Sequence, residues 1–404
     1  MKSTNMSRRK FLQLASLASA GIAVSIAGMP AFAQDATAEV TPTAEPALPA
    51  APAPGPIDLT AAGGMDKLVE AAKAEGELSI IAIPDSWANY GQIKKDFLAK
   101  YDFLKLDDNN PDGSSAQEIE AIKSNAGNKG PQNPDVIDVG YSWGQTSIDA
   151  GLLQPYKVAT WDTIPDAVKD KDGYWYGDYY GTLVFEVNAD VVKNVPQDWS
   201  DLLKPEYKGQ IALGGDPTGA NQAIFTVWAA ALANGGTLDD ATAGLDFFKK
   251  LADSGNLLPV VVKPATLASG ETPITIRWDY NSLGNRDANA DTVKIEVVYP
   301  KSGSIAGLYI QAISAYAPRP NAARLWMEYL YSDAGQLAWL AGYAKPVRYD
   351  DLVKNKAIPD ELAAKLPKSD VPVQFPSIDQ IIKVSDQIKK GWPDKVGVAI
   401  AAAP

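Results

Sequence analysis

Short apolar runs alternate with amphipathic stretches along the chain after residue 58. Runs of β-branched, aromatic and aliphatic residues predict strands at Leu78–Ile83, Phe103–Leu106, Val136–Val139, Gly181–Val187, Gln210–Leu213 and Ile274–Trp278, and Val293–Tyr299 is predicted to lead back to the first of two α/β regions. Apolar residues at helical spacing predict helices at Asp66–Glu75, Gln92–Tyr101, Ala116–Ser124, Gln145–Ala150, Gln222–Ala233 and Leu238–Ala252. The recurring order of strand, loop and helix predicts an α/β fold with parallel strands.

The sequence between Gly173 and Gly215 joins two such α/β regions. Its predicted strand ends at Val187, a helical turn begins at Asn188, and the turn PEYKG at 205–209 precedes the next strand. The aromatic residues beside this strand are typical of a cleft that closes on a small solute. We therefore predict two lobes, each a central sheet flanked by helices, joined by hinge crossings at about 181–188 and about 298–303.

This division assigns residues 58–187 and 299–404 to the first lobe and residues 188–298 to the second. The tail from Ala322 to about Lys390 is predicted to be mostly helical and to pack on the first lobe. Residues 34–57 are rich in Ala, Pro and Thr and contain no aromatic residue, so they are predicted to form a semi-extended linker.

The first 33 residues predict an export signal. The sequence SRRKFL at 7–12 resembles a twin-arginine motif, an apolar stretch follows at Leu14–Met29, and AFA at 31–33 fits a cleavage site. The twin-arginine (Tat) translocase is therefore the predicted partner during export. Cleavage of the signal and its retention as a membrane anchor are both compatible with this pattern.

The composition removes several classes of site. The 404 residues contain no cysteine and no histidine, and they carry a formal net charge of −12. The chain therefore cannot form disulfides, thiolate metal sites, a lipidated cysteine anchor, a Ser-His-Asp triad or a histidine-based zinc site. The excess of acidic residues also argues against nucleic acid as a partner.

Aromatic and acidic residues occur in the loops that follow the predicted strands. Loops at the carboxyl ends of parallel strands line the ligand crevice of such folds. Aromatic faces attract organic cations, and carboxylates bind ammonium groups. Core packing is the alternative for several of the aromatic residues. The predicted ligand-binding residues are Asp85, Trp87, Tyr90, Ser115, Tyr141, Trp143, Tyr180, Thr218, Trp278, Asp279, Asn281 and Tyr309.

A second set of residues favours an anionic solute instead. Backbone amides and the helix dipole at a helix N-terminus favour phosphate or carboxylate groups. Ordinary N-capping is the alternative role for these residue types. The set consists of Ser114, Ser115, Thr218, Gly219 and Asn221 at predicted helix starts, with Arg277 as a cationic partner.

Three segments resemble family 1 extracellular solute-binding proteins of ABC importers. They are Asn188, Pro196 and Trp199 followed by PEYKG at 205–209; YPKSGS at 299–304; and NAA at 321–323 with SDAGQ at 332–336 and PVR at 346–348. The resemblance covers about residues 76–350. It implies a type II periplasmic-binding-protein fold and a monomer in the periplasm or at the extracellular face of the cytoplasmic membrane. It further implies a small-molecule solute passed to an ABC permease and its ATPase.

Within that superfamily, Trp87 and Tyr90 resemble an aromatic pair of polyamine binders, and Trp278 and Asp279 lie where those proteins place an aromatic residue near an acid. The resemblance therefore makes an organic amine or polyamine the leading solute class. A phosphorylated or phosphonate anion and ferric iron are the alternatives, although the tyrosine pattern of the ferric binders is not met. An exported enzyme using paired carboxylates and a sensory subunit are the other function classes. We predict no catalytic residue, metal or cofactor.

Overall fold

The computed structural model describes residues 47–366 and 372–401. The predicted export signal and most of the linker therefore lie outside the described residues. The α-helices are α1 (Met65–Glu75), α2 (Tyr90–Lys100), α3 (Ser115–Ser124), α4 (Gly144–Asp149), α5 (Asn221–Ala233), α6 (Thr242–Asp253), α7 (Pro264–Ser269), α8 (Asp279–Ala288), α9 (Pro320–Leu330), α10 (Asp333–Ala341), α11 (Tyr349–Lys354), α12 (Asp360–Lys365) and α13 (Ile378–Gly391).

The strands alternate with these helices through most of the chain. They are β1 (Glu77–Ile81), β2 (Lys105–Asn109), β3 (Val136–Gly140), β4 (Leu153–Gln154), β5 (Tyr176–Asn188), β6 (Ile211–Leu213), β7 (Leu257–Val261), β8 (Ile274–Trp278), β9 (Ile295–Val298), β10 (Ala306–Ser314) and β11 (Lys345–Pro346). Apolar residues dominate β3, β5, β6, β8 and β10, which explains why these strands are buried.

The described part of the chain contains two β-sheets. Strands β1 and β2 make a parallel pair, and the larger sheet has the order β3-β10-β5-β8-β6-β7. Strand β5 pairs with β10 along its first half and with β8 and β9 along its second half. It therefore runs from one lobe into the other, and β10 returns beside it.

The two crossing strands carry glycines directly opposite each other. Gly181 of β5 faces Gly307 of β10 in the antiparallel register. Tyr280 covers Gly181 and the ring of Trp278 covers Gly307, and these two rings stack with centroids 6.4 Å apart. The absence of a Cβ at both positions lets the aromatic residues lie against the backbone of the crossings.

The tail packs on both lobes, whereas the sequence pattern predicts packing on the first lobe. Helix α9 contacts α1 and inserts Trp326 against Phe97, at 4.9 Å between ring centroids. Helix α13 instead contacts α5, and Trp392 beyond it packs against Phe248 of α6 at 5.6 Å. The final residues add to the second lobe because the N–H of Val261 donates to the carbonyl of Ala401.

The predicted α/β class is confirmed, but the prediction of parallel strands holds only in part. Strand β6 is parallel to β7 and to β8, whereas β5 and β10 are antiparallel to their neighbours. A strand that leaves a lobe and a strand that returns to it run in opposite directions, so the crossings impose antiparallel pairs. Among residues 47–366 and 372–401, no helix has the length and apolar character needed to span a membrane.

Candidate functional site

A cavity of about 660 Å³ lies between the lobes; we call it the cleft cavity. Its walls come from the loop after β1, the start of α3, the start of α5 and the loop after β7. A pocket of this size suits a small organic solute. Its lining includes Trp87, Ser114, Ser115, Glu118, Asp138, Gly214–Asp216, Thr218–Gln222, Lys263, Arg277 and Tyr309.

The N-termini of α3 and α5 meet across this cavity. The N–H of Ala116 points at the carbonyl of Gly219 at 3.4 Å, and a Cβ on Gly219 would lie 3.2 Å from that of Ala116. Ser115 anchors the start of α3 because its Oγ accepts the N–H of Gly140 at 3.0 Å. Two positive helix ends therefore converge on one volume, which favours negative charge there.

Two buried polar side chains at the cavity have unused hydrogen-bonding atoms. Asn221 is 2% exposed, and neither its Oδ1 nor its Nδ2 has a partner among the described residues. Arg277 is 7% exposed; its Nη1 lies 3.3 Å from Glu186, and its Nε has no partner among these residues. Because buried polar groups are normally hydrogen-bonded, both side chains indicate a site for a polar ligand.

The first-lobe side of the cavity contains buried carboxyl groups. Asp138 Oδ2 accepts from the hydroxyls of Tyr90 at 2.7 Å and Tyr179 at 3.2 Å, and Glu118 accepts the N–H of Asp138 at 2.9 Å. Burial raises the pKa of Asp138 to about 7, even though these hydroxyls lower it. Burial and the neighbouring Asp138 also raise the pKa values of Glu118 and Asp178 well above their usual range.

These carboxyl groups predict that the protein is less stable at about pH 8 than at about pH 5. A carboxyl whose folded pKa is raised contributes stability below its unfolded pKa, and this contribution is lost as the pH rises through the folded value. Asp178→Asn should therefore reduce the difference in melting temperature between the two pH values. Thermal unfolding followed by circular dichroism tests this, with Asp253→Asn at an exposed ion pair as the control. An unchanged pH dependence in Asp178→Asn would contradict the prediction.

Trp87 contributes an aromatic wall held by its neighbours. Its Nε1 donates to the hydroxyl of Tyr179 at 2.7 Å. Its ring makes edge contacts with Tyr280 at 5.7 Å and with Tyr309 at 5.5 Å. The half-buried indole therefore has a fixed orientation beside the carboxyl groups.

The structure distributes the predicted ligand-binding residues over several places. Those that line the cleft cavity are Trp87, Ser115, Thr218 and Tyr309. Tyr180 and Asp279 line a different cavity, described below. Those that line neither cavity are Asp85, Tyr90, Tyr141, Trp143, Trp278 and Asn281. The ligand-binding roles of these twelve residues stay predictions.

The residues outside both cavities have structural contacts that their positions in the sequence did not reveal. Asp85 is exposed and pairs with Lys94 at 2.6 Å. Tyr141 is buried and donates its hydroxyl to the carbonyl of Ala167 at 3.0 Å. Trp143 lies beneath the ammonium group of Lys389, which is 4.0 Å from the ring centroid.

Tyr90, Trp278 and Asn281 are buried as well. Tyr90 stacks on Trp326 with centroids 6.5 Å apart, in the core of the first lobe. Trp278 donates its backbone N–H to Gln222 at 3.1 Å. Neither polar atom of the Asn281 side chain has a partner among the described residues.

Sequence reasoning missed the cavity residues Glu118, Asp138 and Lys263. Asp138 is the only acid in β3, whose sequence VIDVG is otherwise apolar. A charged residue in such a strand was the signal in the sequence that could have identified Asp138 as a candidate site residue. Lys263 lies 3.7 Å from Asp112 of the opposite lobe, a pairing that no local pattern predicts. Within the described ranges, no group of three or more acidic side chains has the arrangement needed to hold a metal ion.

Residues 132–370 match a family described as bacterial extracellular solute-binding proteins. An uncharacterized protein of Haemophilus influenzae is 29% identical over 262 residues, which is 61% of this chain and 71% of that protein. The spermidine/putrescine-binding periplasmic protein of Escherichia coli is 28% identical over 191 residues, 46% of this chain. The latter match spans about half of that relative, 51% of its length.

Solved structures share the fold. The periplasmic binding protein AfuA of Actinobacillus pleuropneumoniae, with fructose 6-phosphate bound, superposes with a TM-score of 0.60 at 21% identity, covering 80% of this chain and 99% of that one. Iron-bound HitA of Pseudomonas aeruginosa gives a TM-score of 0.55 at 18% identity, covering 78% and 98%. The two-lobe type II fold of periplasmic binding proteins is therefore confirmed.

Proposed function

Because this chain belongs to the bacterial extracellular solute-binding proteins, which serve ABC importers, we propose that the solute it captures in the cleft cavity carries an anionic group, a phosphate or a carboxylate. In this proposal the lobes close on the solute and the loaded protein delivers it to a membrane permease. The family and the structural neighbours are binding proteins, so binding without turnover is the activity we propose.

The meeting of two helix N-termini in one cavity carries this proposal. The sequence predicts Ser114, Ser115, Thr218, Gly219 and Asn221 as an anion-binding set together with Arg277, and all six line the cleft cavity. The first-turn amides of a helix have no intrahelical acceptor. The amide of Ala116 in α3 faces the carbonyl of Gly219, so an anion between α3 and α5 would accept from the remaining first-turn amides. The structure of AfuA contains a sugar phosphate, which is in keeping with an anionic solute for this fold.

An organic amine or polyamine is the second candidate, and the buried carboxyl groups favour it. Asp138 Oδ1 has no partner among the described residues, and this side chain lines the cavity together with Glu118 and Trp87. An ammonium group there would neutralise part of a buried acidic cluster. A spermidine/putrescine-binding protein among the relatives points in the same direction.

Titration calorimetry with inorganic phosphate, fructose 6-phosphate, putrescine and spermidine separates the two candidates. We expect the phosphorylated ligands to bind and to raise the melting temperature, because a ligand of the folded state stabilises it. Binding of the amines alone would transfer the proposal to the second candidate. If neither class binds, the anionic proposal and the amine alternative both fail.

Asn221→Ala provides a sharp test of the anion site. Since the amide has no partner among the described residues, its removal should leave the melting temperature unchanged or raise it. Loss of a hydrogen bond to a charged ligand group should weaken binding about tenfold or more. Asn234→Ala, at the exposed far end of the same helix, is the matched control and should bind normally. An unaltered affinity in Asn221→Ala would remove this residue from the site.

We also propose export by the twin-arginine route, on the basis of the sequence at 7–12. Replacement of Arg8 and Arg9 by lysine should retain the full chain inside the cell. Fractionation with an antibody to the protein measures this, and the single change Lys2→Gln serves as the control. Export of the double variant at the normal level would contradict the route.

A further inference from the structure

A second cavity, of about 470 Å³, lies at the hinge; we call it the hinge cavity. Its lining includes Gly181 and Thr182 of β5, Ala306 of β10 and Asp279 at the start of α8. The segment 343–350, which contains β11, supplies another wall through several of its residues. The cavity is therefore built from both crossings and from elements of both lobes.

The alternation of side chains along β5 separates this cavity from the cleft. Tyr179 bonds to Trp87 and stacks on Tyr309, both of which line the cleft cavity. Tyr180, the next residue, projects to the other face of the strand and lines the hinge cavity. The two cavities therefore lie on opposite faces of the first crossing.

A buried carboxyl group at the hinge cavity accepts hydrogen bonds from neutral donors alone among residues 47–366 and 372–401. Asp279 is 8% exposed, and its Oδ1 accepts the N–H of Thr182 at 3.0 Å and that of Tyr280 at 2.9 Å. Its Oδ2 accepts the hydroxyl of Tyr299 at 3.2 Å. Burial raises the pKa of Asp279 to about 6 despite these bonds, so the group is mostly ionised at neutral pH. An ionised carboxylate in this position attracts a cation.

Aromatic side chains line the same cavity as this carboxylate. Tyr180 and Phe375 make an edge contact at 6.4 Å between ring centroids, and Phe375 is 67% exposed at the mouth. The Nζ of Lys345 lies 4.5 Å from the ring centroid of Tyr349, so this wall already holds one ammonium group against an aromatic face. Among the described residues, the lining contains two carboxylates, those of Asp279 and Asp350, and one ammonium group, that of Lys345. Negative charge and aromatic faces together are the environment that recognises organic cations.

We propose that the hinge cavity binds a small organic cation, an alkylammonium or quaternary ammonium compound, separately from the solute in the cleft. The charged head would lie between the Asp279 carboxylate and the rings of Tyr180 and Tyr299. Its occupant would contact both crossings, so binding stabilises the arrangement of lobes described above. This inference does not depend on which solute occupies the cleft.

Choline is a suitable probe, and its uncharged isostere 3,3-dimethyl-1-butanol is the control. Calorimetry and thermal shift on the full chain should show choline binding and no binding of the alcohol. Asp279→Asn keeps the shape and the acceptor for two backbone N–H groups, and it should weaken choline binding at least tenfold. Tyr180→Leu should also weaken it, and it serves as the second variant if Asp279→Asn does not fold. Binding should weaken as the pH falls through about 6, where Asp279 becomes protonated.

Asn221→Ala distinguishes the two cavities because it alters only the cleft. The proposal expects choline affinity to be normal in Asn221→Ala, and phosphate affinity to be normal in Asp279→Asn. Loss of choline binding in Asn221→Ala with retention in Asp279→Asn would show that the cation occupies the cleft, and would overturn the inference. Absence of choline binding to the unmodified chain at millimolar concentration would overturn it as well. Failure of the anion proposal shows instead as absence of phosphate binding, with choline binding intact.

Discussion

Replacement of Gly307 by valine is expected to lower the free energy of unfolding by about 3 kcal/mol or more, because the new side chain overpacks a filled core. A Cβ at this position would overlap the six-membered ring of Trp278. That indole is fully buried and is held by Tyr280 on one side and Phe225 on another, so it cannot move aside freely. Chemical denaturation followed by tryptophan emission measures the change.

The same variant should also weaken binding in the cleft cavity. Displacement of Trp278 would shift Gln222, which accepts its backbone N–H, and with it the first turn of α5. Gly284→Ala is the matched control, since a methyl group there meets no atom within 4 Å in the middle of α8. This control should stabilise the protein by about 0.5–1 kcal/mol. Equal stability of Gly307→Val and the unmodified chain would show that the close packing of Trp278 on β10 is not needed.

Replacement of Arg319 by methionine is expected to cost about 3–5 kcal/mol, because it leaves a buried carboxylate without its cation. Asp135 is fully buried, and its two oxygens accept from the Nε of Arg319 at 2.9 Å, the N–H of Arg319 at 2.8 Å and the N–H of Ser79 at 2.7 Å. These bonds tie β1 and the start of α9 to the residue preceding β3. Urea unfolding at neutral pH measures the loss.

The pH dependence of Arg319→Met provides a second readout. Burial raises the pKa of Asp135 to about 6, while the guanidinium of Arg319 lowers it. Removal of the guanidinium should raise the pKa of Asp135 further. Arg319→Met should therefore lose more stability at about pH 8 than at about pH 5. The double variant Arg319→Met with Asp135→Asn should recover part of the loss. Lys67→Met, which breaks an exposed pair, is the control and should melt like the unmodified protein.

Local signals predicted most of the elements that build the cleft. The start of α3 at Ser115 and that of α5 at Asn221 lie one residue before their predicted positions, and β8 has the predicted bounds Ile274–Trp278. Capping residues and apolar periodicity act over a few residues, so they are readable without the fold. The long return strand β10 was not predicted, because all nine of its residues are buried and its sequence, AGLYIQAIS, shows no regular alternation of apolar and polar positions.

Trp278 and Asp279 show what local signals omit. The two residues are neighbours, and the sequence predicts both for the same site. In the structure the indole lies on Gly307, while the carboxylate lines the hinge cavity. The direction of each side chain depends on the crossing strands beneath it. Leu183 of β5, which pairs with Trp278, is 95 positions before it in the chain (278 − 183), and Gly307 of β10 is 29 positions after it (307 − 278).

The sequence by itself determined the α/β class, the strand of the first crossing, the resemblance to solute-binding proteins and the helix starts that meet at the cleft. These properties depend on residues close together in the chain, or on motifs in a set order. Only the tertiary structure decided that α3 and α5 point at each other, that Asp138 and Glu118 lie at the cleft, and that Asp279 belongs to a separate cavity. The reason is physical: the crossings set which loops converge, and burial then sets the charge and the hydrogen bonding of the side chains at those positions.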